Sequence, residues 1–134
     1  MTVALAAVAA ALLVPAIATP AAAAEDSCAT TGAEGWLKFS WSGKYRIDPL
    51  KLMVEDQLGD GHHVAVRLVT NRADGTIHHW GWHHNYEGVD IMQVWNTYAS
   101  DSAGITKAEI QVARMEGSTI MNLCNSGKIA NPNW

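Results

Sequence analysis

The stretch WLKFSW, residues 36–41, decides the fold class because its side chains alternate in character. Leu37, Phe39 and Trp41 are apolar, whereas Lys38 and Ser40 between them are polar. Successive side chains of an extended strand face opposite sides, so this spacing predicts a β-strand with one face buried.

The same alternation recurs along most of the chain. Val64, Val66 and Leu68 are predicted to face inwards and Arg67 outwards, and turn residues separate the runs. The segment 105–115 has a composition that also suits a helix, but its alternation favours a strand. The predicted strands are 36–41 (with 45–47 as a continuation), 51–57, 62–70, 76–85, 91–98, 105–115 and 118–123. About seven or eight short strands without a long helix predict an all-β protein, an antiparallel β-sandwich that is immunoglobulin-like or small-barrel-like.

Composition limits the number of domains and the class of partner. The chain has 134 residues and a net charge of −4, and all 22 charged residues lie in the last 110. That length fits one domain, and the charged fraction argues against a disordered or multispan protein. An acidic chain lacks the field that a nucleic-acid binder needs, so we expect no nucleic-acid partner.

The uncharged segment 1–24 resembles a targeting sequence. Its unbroken apolar core, residues 3–14, is too short to cross a hydrocarbon layer of about 30 Å. The run of alanines at 21–24 fits a cleavage site, although no Lys or Arg lies near Met1. We therefore predict a signal peptide at 1–24, a secreted extracellular domain at 25–134, and no membrane association after cleavage. An uncleaved N-terminal anchor is the alternative.

The two cysteines, Cys28 and Cys124, lie near opposite ends of the predicted domain. In an oxidising compartment a single pair has only one possible connectivity, so the sequence predicts one long-range disulfide. Closing a loop of about 95 residues would stabilise the fold by about 4–5 kcal/mol through the unfolded chain.

All six histidines lie between residues 62 and 84, in three adjacent pairs. If the run 77–84 is one extended strand, His79 and His83 share one face, and the other face carries His78, Trp80, Trp82 and His84. A hairpin folded about residues 72–74 would place His62 or His63 opposite His83 or His84.

This clustering suggests a divalent metal site, because neutral imidazole suits both zinc and copper. The candidate ligands are His62, His63, His79, His83 and His84. Carboxylates of Asp60, Glu87 or Asp90 could complete the coordination. No HExxH or CxxC motif supports the hypothesis, and the alternative is a solvated histidine-rich face.

Six tryptophans are many for a domain of this size. We expect Trp41 and Trp95 in the core. Trp80 and Trp82 share a face with each other if the run is extended, and an exposed face would make them a ligand-binding platform for sugar rings or a partner protein. The alternative is that this face points into the sandwich, and His79 and His83 then point to solvent.

Motifs for nucleophilic hydrolases and for nucleotide binding are absent: the chain contains no GxSxG, GxxxxGK[ST] or GxGxxG. The leading hypothesis is a non-enzymatic extracellular binding protein whose active surface is the His/Trp-rich sheet face with His62, His63 and residues 78–84, with or without a bound divalent metal. Its expected partner is an unknown extracellular protein or a polysaccharide. We expect it to be monomeric. One alternative is a small secreted hydrolase that draws its acid and base from His79, His83 and Glu87. The other is a carbohydrate-binding module built on Trp80 and Trp82.

Overall fold

A computed structural model describes residues 10–11 and 22–134. The described part contains ten β-strands and no helix long and apolar enough to cross a membrane. The strands are β1 (Ala23–Thr30), β2 (Ala33–Trp41), β3 (Arg46–Asp56), β4 (His63–Asn71), β5 (Ile77–His79), β6 (His83–Asn85), β7 (Met92–Ser100), β8 (Lys107–Glu116), β9 (Thr119–Asn125) and β10 (Ile129–Ala130). Most of the predicted signal peptide lies outside the described residues.

The strands form two antiparallel sheets, which confirms the predicted all-β class and fits a sandwich. One sheet has four strands in the order β1-β2-β3-β7. In the other, β8 and β4 are central. Two short strands, β5 and β6, pair with one edge of β4, and β9 and β10 both pair with the far edge of β8. The segment 105–115 is thus a strand, as its alternation predicted.

The core lies between the sheets and follows the predicted alternation. Leu37, Phe39 and Trp41 of β2 are buried, and Trp95 of β7 packs partly buried against the same cluster. Strands β4 and β8 differ from the others because they are central and are buried on both faces. The large apolar residues that fill this core include Ile47, Leu52, Val64, Val66, Leu68, Ile110 and Val112.

Strand β1 lies outside every predicted strand. Its residues are mostly small or polar, and it pairs along its whole length with β2 as an edge strand. Ala24 packs against the core, and the backbone N–H of Trp41 donates to the carbonyl of Ala22 at 3.0 Å. Cleavage after Ala24 would therefore remove the first two residues of the strand.

The predicted disulfide is present. Cys28 on β1 is bonded to Cys124 on β9, with a Cα–Cα distance of 6.1 Å and a sequence separation of 96. Since β1 belongs to the four-stranded sheet and β9 to the other, this covalent bond joins the two layers of the sandwich.

Candidate functional site

The predicted single strand at 76–85 is wrong, because the chain interrupts its pairing near Gly81. His79 pairs with Val69, while His83 pairs with Val66, so four positions on one side oppose only three on β4. This is the two-against-one count of a β-bulge, and it reverses the faces that follow it. The predicted hairpin register was also wrong by two to three residues.

The reversal separates the side chains that the extended strand would have grouped. Trp80 lies on the inner face, where its Nε1 donates to Thr70 Oγ1 at 3.0 Å and its ring packs against the core. Trp82 lies on the outer face against Ala65, Ala113 and Met115. The two tryptophans therefore lie on opposite faces of the sheet, while both line one cavity of about 290 Å³ at its edge.

The histidines divide in the same way. His79 is opposite Val69 on the outer face and is exposed. His83 is opposite Val66 on the inner face, with its ring 5.1 Å from that of Trp95. Burial lowers the pKa of His83, and the positive charge of His84 lowers it further. Glu87, in the loop after β6, accepts a 3.4 Å hydrogen bond from Gln93. The acid–base set proposed for a hydrolase is thus not gathered in one place.

The outer face of the six-stranded sheet does gather aromatic, imidazole and guanidinium groups. We call this group the His–aromatic surface, and it consists of His63, Arg67, Trp82, His84 and Tyr86. His63 and Arg67 are four residues apart on β4, a distance of about 13 Å along the strand. The surface is therefore long enough for an extended ligand.

At one end of this surface two histidines form a hydrogen bond. His63 Nε2 and His84 Nδ1 are 2.9 Å apart, so one nitrogen donates and the other accepts. Burial lowers the pKa of His63, and the charge of His84 lowers it further, against the opposing carboxylates of Glu116 and Asp56. The Tyr86 ring packs on both imidazoles, at 4.4 and 5.6 Å between centroids, although the tyrosine is 70% exposed.

At the other end, Arg67 lies over the Trp82 ring, with its Cζ 4.3 Å from the ring centroid. Its Nε donates to the neutral Gln111 Oε1 at 2.7 Å. Among the described residues no carboxylate lies within ion-pair distance of this guanidinium. Arg67 is therefore a half-buried cation, and within residues 22–134 no hydrogen bond engages its terminal N–H groups, which can thus bind an anion.

An open cavity of about 410 Å³ adjoins the histidine pair. We call it the His cleft. Its lining includes His63 and Tyr86 of the His–aromatic surface, together with His62 and Glu116. His62 Nδ1 is hydrogen-bonded to Glu116 Oε2, so this imidazole already has a carboxylate partner.

The candidate metal ligands only partly converge. In the described part of the chain, no three His, Cys, Asp or Glu side chains are close enough together to hold a metal ion. Of the five candidate histidines, His63 and His84 are in direct contact, and His62 lines the cleft together with His63. Asp60 is occupied by Arg114, whose Nη1 is 2.6 Å from its Oδ2.

Sequence reasoning missed three members of this region. Arg67 was predicted to face outwards, but its stack on Trp82 depends on the bulge. Tyr86 falls between the predicted strands 76–85 and 91–98, and its two imidazole partners lie on different strands. Glu116 carried no signal, because its partner His62 is 54 residues away in the chain.

No protein-family model matches this chain, and neither a curated protein nor a solved structure is significantly similar to it. Its function has to be argued from its own residues.

Proposed function

We propose that this chain is a secreted, non-enzymatic binding protein that takes an acidic extracellular polysaccharide on its His–aromatic surface. The observation that carries the proposal is the Arg67–Trp82 stack, which presents a guanidinium without a carboxylate partner among the described residues. Guanidinium groups recognise carboxylates through paired N–H donors, and that is the anionic group of uronic-acid polymers.

The aromatic part of the surface supports a sugar as the rest of the ligand. Tyr86 presents most of its ring to solvent, while His63 and His84 hold it in place from below. A flat ring with a polar tip suits the apolar face and the hydroxyls of a pyranose. Charge and stacking groups spaced along one sheet face fit an extended polymer better than a small compact ligand.

The test is affinity electrophoresis and calorimetry of the purified protein with polygalacturonate and alginate, compared with neutral dextran. We expect binding to the acidic polymers, and Arg67→Ala is expected to weaken it about tenfold, the equivalent of one charge-assisted hydrogen bond. Tyr86→Ala should weaken it by a similar or smaller factor. Added salt should lower the affinity because the surface charge is screened.

Tyr45→Ala is the matched control. Tyr45 is also an exposed tyrosine that packs on another ring, Trp134 at 6.1 Å between centroids, but it lies between β2 and β3. It should leave binding unchanged. Equal losses in Tyr86→Ala and Tyr45→Ala, equal affinity for dextran, or no binding to any acidic polymer would each overturn the proposal.

A second candidate function is copper binding at the His63–His84 pair. The two nitrogens lie 2.9 Å apart, an ordinary hydrogen-bond length, so two imidazoles are already close enough to become ligands of one ion. Nitrogen ligands bind Cu²⁺ more tightly than Zn²⁺, so Cu²⁺ is the ion expected to replace the shared proton.

Thermal unfolding with Cu²⁺ and with Zn²⁺ tests this candidate, and electron paramagnetic resonance counts the nitrogen ligands. We expect a larger rise in melting temperature with Cu²⁺, lost in His84→Ala and retained in His79→Ala, since His79 is exposed and lies outside the pair. A rise that persists in His84→Ala, or no rise at all, contradicts it.

A further inference from the structure

The outer face of the four-stranded sheet, on the opposite side of the sandwich, carries a row of apolar side chains. Trp36 on β2 is opposite Met53 on β3, and Met53 is opposite Val94 on β7. Residues opposite each other share a face, so these three side chains form one row across the sheet. Trp36 and Met53 are half-buried, and Val94 is 45% exposed. Val94 also lies on an edge strand, beyond which the described residues add no further strand to this sheet.

Charged rows of opposite sign flank this apolar row. On one side Glu34 of β2 is opposite Glu55 of β3, and on the other Lys38 is opposite Lys51. Lys38 is 3.9 Å from Glu25 on β1, and Glu34 accepts a 2.7 Å hydrogen bond from Gln57. Within residues 22–134, neither Lys51 nor Glu55 lies within 4.0 Å of an opposite charge.

The order acidic, apolar, basic is complementary to itself. A twofold axis that runs along the apolar row turns a second copy face to face with the first and reverses the order of its flanking rows. Glu55 of each copy then faces Lys51 of the other, Glu34 faces Lys38, and the apolar rows meet. An axis along the strands would instead place like charges against each other, which is destabilising.

We propose that two copies of this chain associate through this face, about a twofold axis along the Trp36–Met53–Val94 row. Such an isologous contact is the commonest form of protein dimer. The dimer contact is separate from the His–aromatic surface. In the dimer, the His–aromatic surface of each copy would face solvent on the side away from the contact. We expected a monomer from the sequence because this face is not visible in it. The order of the rows depends on the register of three strands.

The size of the face sets the strength of the association. Four strands of about nine residues present about 500–600 Å² per copy. Two copies would bury about 1,000–1,200 Å², at the lower end for a specific interface. The dimer is therefore weak, and its population depends on protein concentration and falls with salt, which screens the Glu–Lys pairs.

Sedimentation equilibrium over a wide concentration range at low salt tests the proposal. We expect Lys51→Glu or Glu55→Lys alone to raise the dimer dissociation constant about tenfold, since each replaces two attractive pairs with two repulsive ones. The double variant Lys51→Glu/Glu55→Lys restores the pairing in swapped form, and its constant should return close to that of the unmodified protein.

Lys107→Glu is the matched control, because Lys107 is an exposed lysine on the other sheet, and it should leave the constant unchanged. Three results would overturn the proposal: a monomer at every concentration, a dimer that Lys51→Glu does not weaken, or a double variant as weak as either single one. Polysaccharide binding measured on the same variants is expected to stay constant, so failure of one proposal is distinguishable from failure of the other.

Discussion

The two outer faces of the sandwich differ in how their charges are balanced. On the four-stranded sheet, acidic and basic rows lie on either side of an apolar row within one face. On the six-stranded sheet, Arg67 lies over Trp82 and has a neutral hydrogen-bond partner. The first arrangement is complementary to a copy of itself, whereas the second is complementary to an anion.

Alternation of polar and apolar residues therefore does not by itself establish what an exposed face binds. Both faces consist of the outward residues of amphipathic strands, and both carry aromatic rings. The pairing register decides which charges stand beside those rings. On the four-stranded sheet the register is regular through the centre, while on the other sheet a bulge changes it within one hairpin.

The largest effect is expected from removing the covalent bond between the two sheets. In Cys28→Ala/Cys124→Ala the loop of 96 residues is no longer closed in the unfolded chain. We expect the free energy of unfolding to fall by about 4–5 kcal/mol. Urea unfolding measures this loss. The unmodified protein with its disulfide reduced is the control, and it should show the same loss. A loss below about 1 kcal/mol would show that packing alone holds the two layers together.

A second variant changes the spacing between the sheets. Gly35 of β2 is buried, and a Cβ added there would collide with the Cγ2 of Val112 on β8. Gly35→Ala is therefore expected to lower the free energy of unfolding by about 1–3 kcal/mol through overpacking. The control is Gly81→Ala at the bulge, where a Cβ meets nothing within 4 Å. Equal effects of the two substitutions in thermal unfolding would contradict this account.

A third change shortens the edge of the four-stranded sheet. A chain that starts at residue 25 lacks the pairs Ala23–Ser40 and Ala24–Phe39 that a chain starting at residue 22 retains. The hydrogen bond from Trp41 N–H to the Ala22 carbonyl, the pairing of two residues with β2 and one small apolar contact are lost, so we expect a destabilisation of about 1–2 kcal/mol. Denaturant unfolding of the two chains measures it, and identical midpoints would show that the first residues of β1 contribute nothing.

The smallest expected effect concerns a polar link between the sheets. Partial burial raises the pKa of Asp101, but hydrogen bonds from Arg72 and from the backbone N–H of Ala103, with the charges of Arg72 and His78, outweigh it and hold the pKa below its usual value. Because the folded pKa is the lower one, this stabilisation is present above about pH 3.9 and is lost as the pH falls through the folded value.

Unfolding measured between pH 5 and pH 2 checks the direction. The unmodified protein should lose more stability over this range than Asp101→Asn, which has no carboxylate to protonate. Parallel pH profiles for the two proteins would contradict the contribution of Asp101.

Much of the fold could be predicted from local pattern. The alternation of Leu37, Phe39 and Trp41 places three core residues directly, because side-chain direction in a strand has a period of two. The disulfide followed from there being only two cysteines. Strand β1 escaped prediction because an edge strand of small and polar residues carries little apolar alternation.

The candidate site was less predictable, and the reason is one extra residue. The histidine run 77–84 does belong to a sheet, as predicted. Its side chains were assigned to the two faces of that sheet on the assumption that the run is one unbroken strand. A bulge near Gly81 reverses every side chain beyond it, since a shift of one residue moves a strand's whole set to the other face. His84 and Trp82 therefore lie with His63 and Arg67, while Trp80 turns inwards.

The residue pattern is enough to predict amphipathic strands around a common core, and two cysteines leave Cys124 as the one possible partner of Cys28. Period-two alternation and residue counts are local properties and need no knowledge of distant contacts. The identity of neighbouring strands and the register between them could not be read from this pattern. Both depend on packing between residues far apart in the chain, and they bring His62 to Glu116 and set the charged rows beside Trp36.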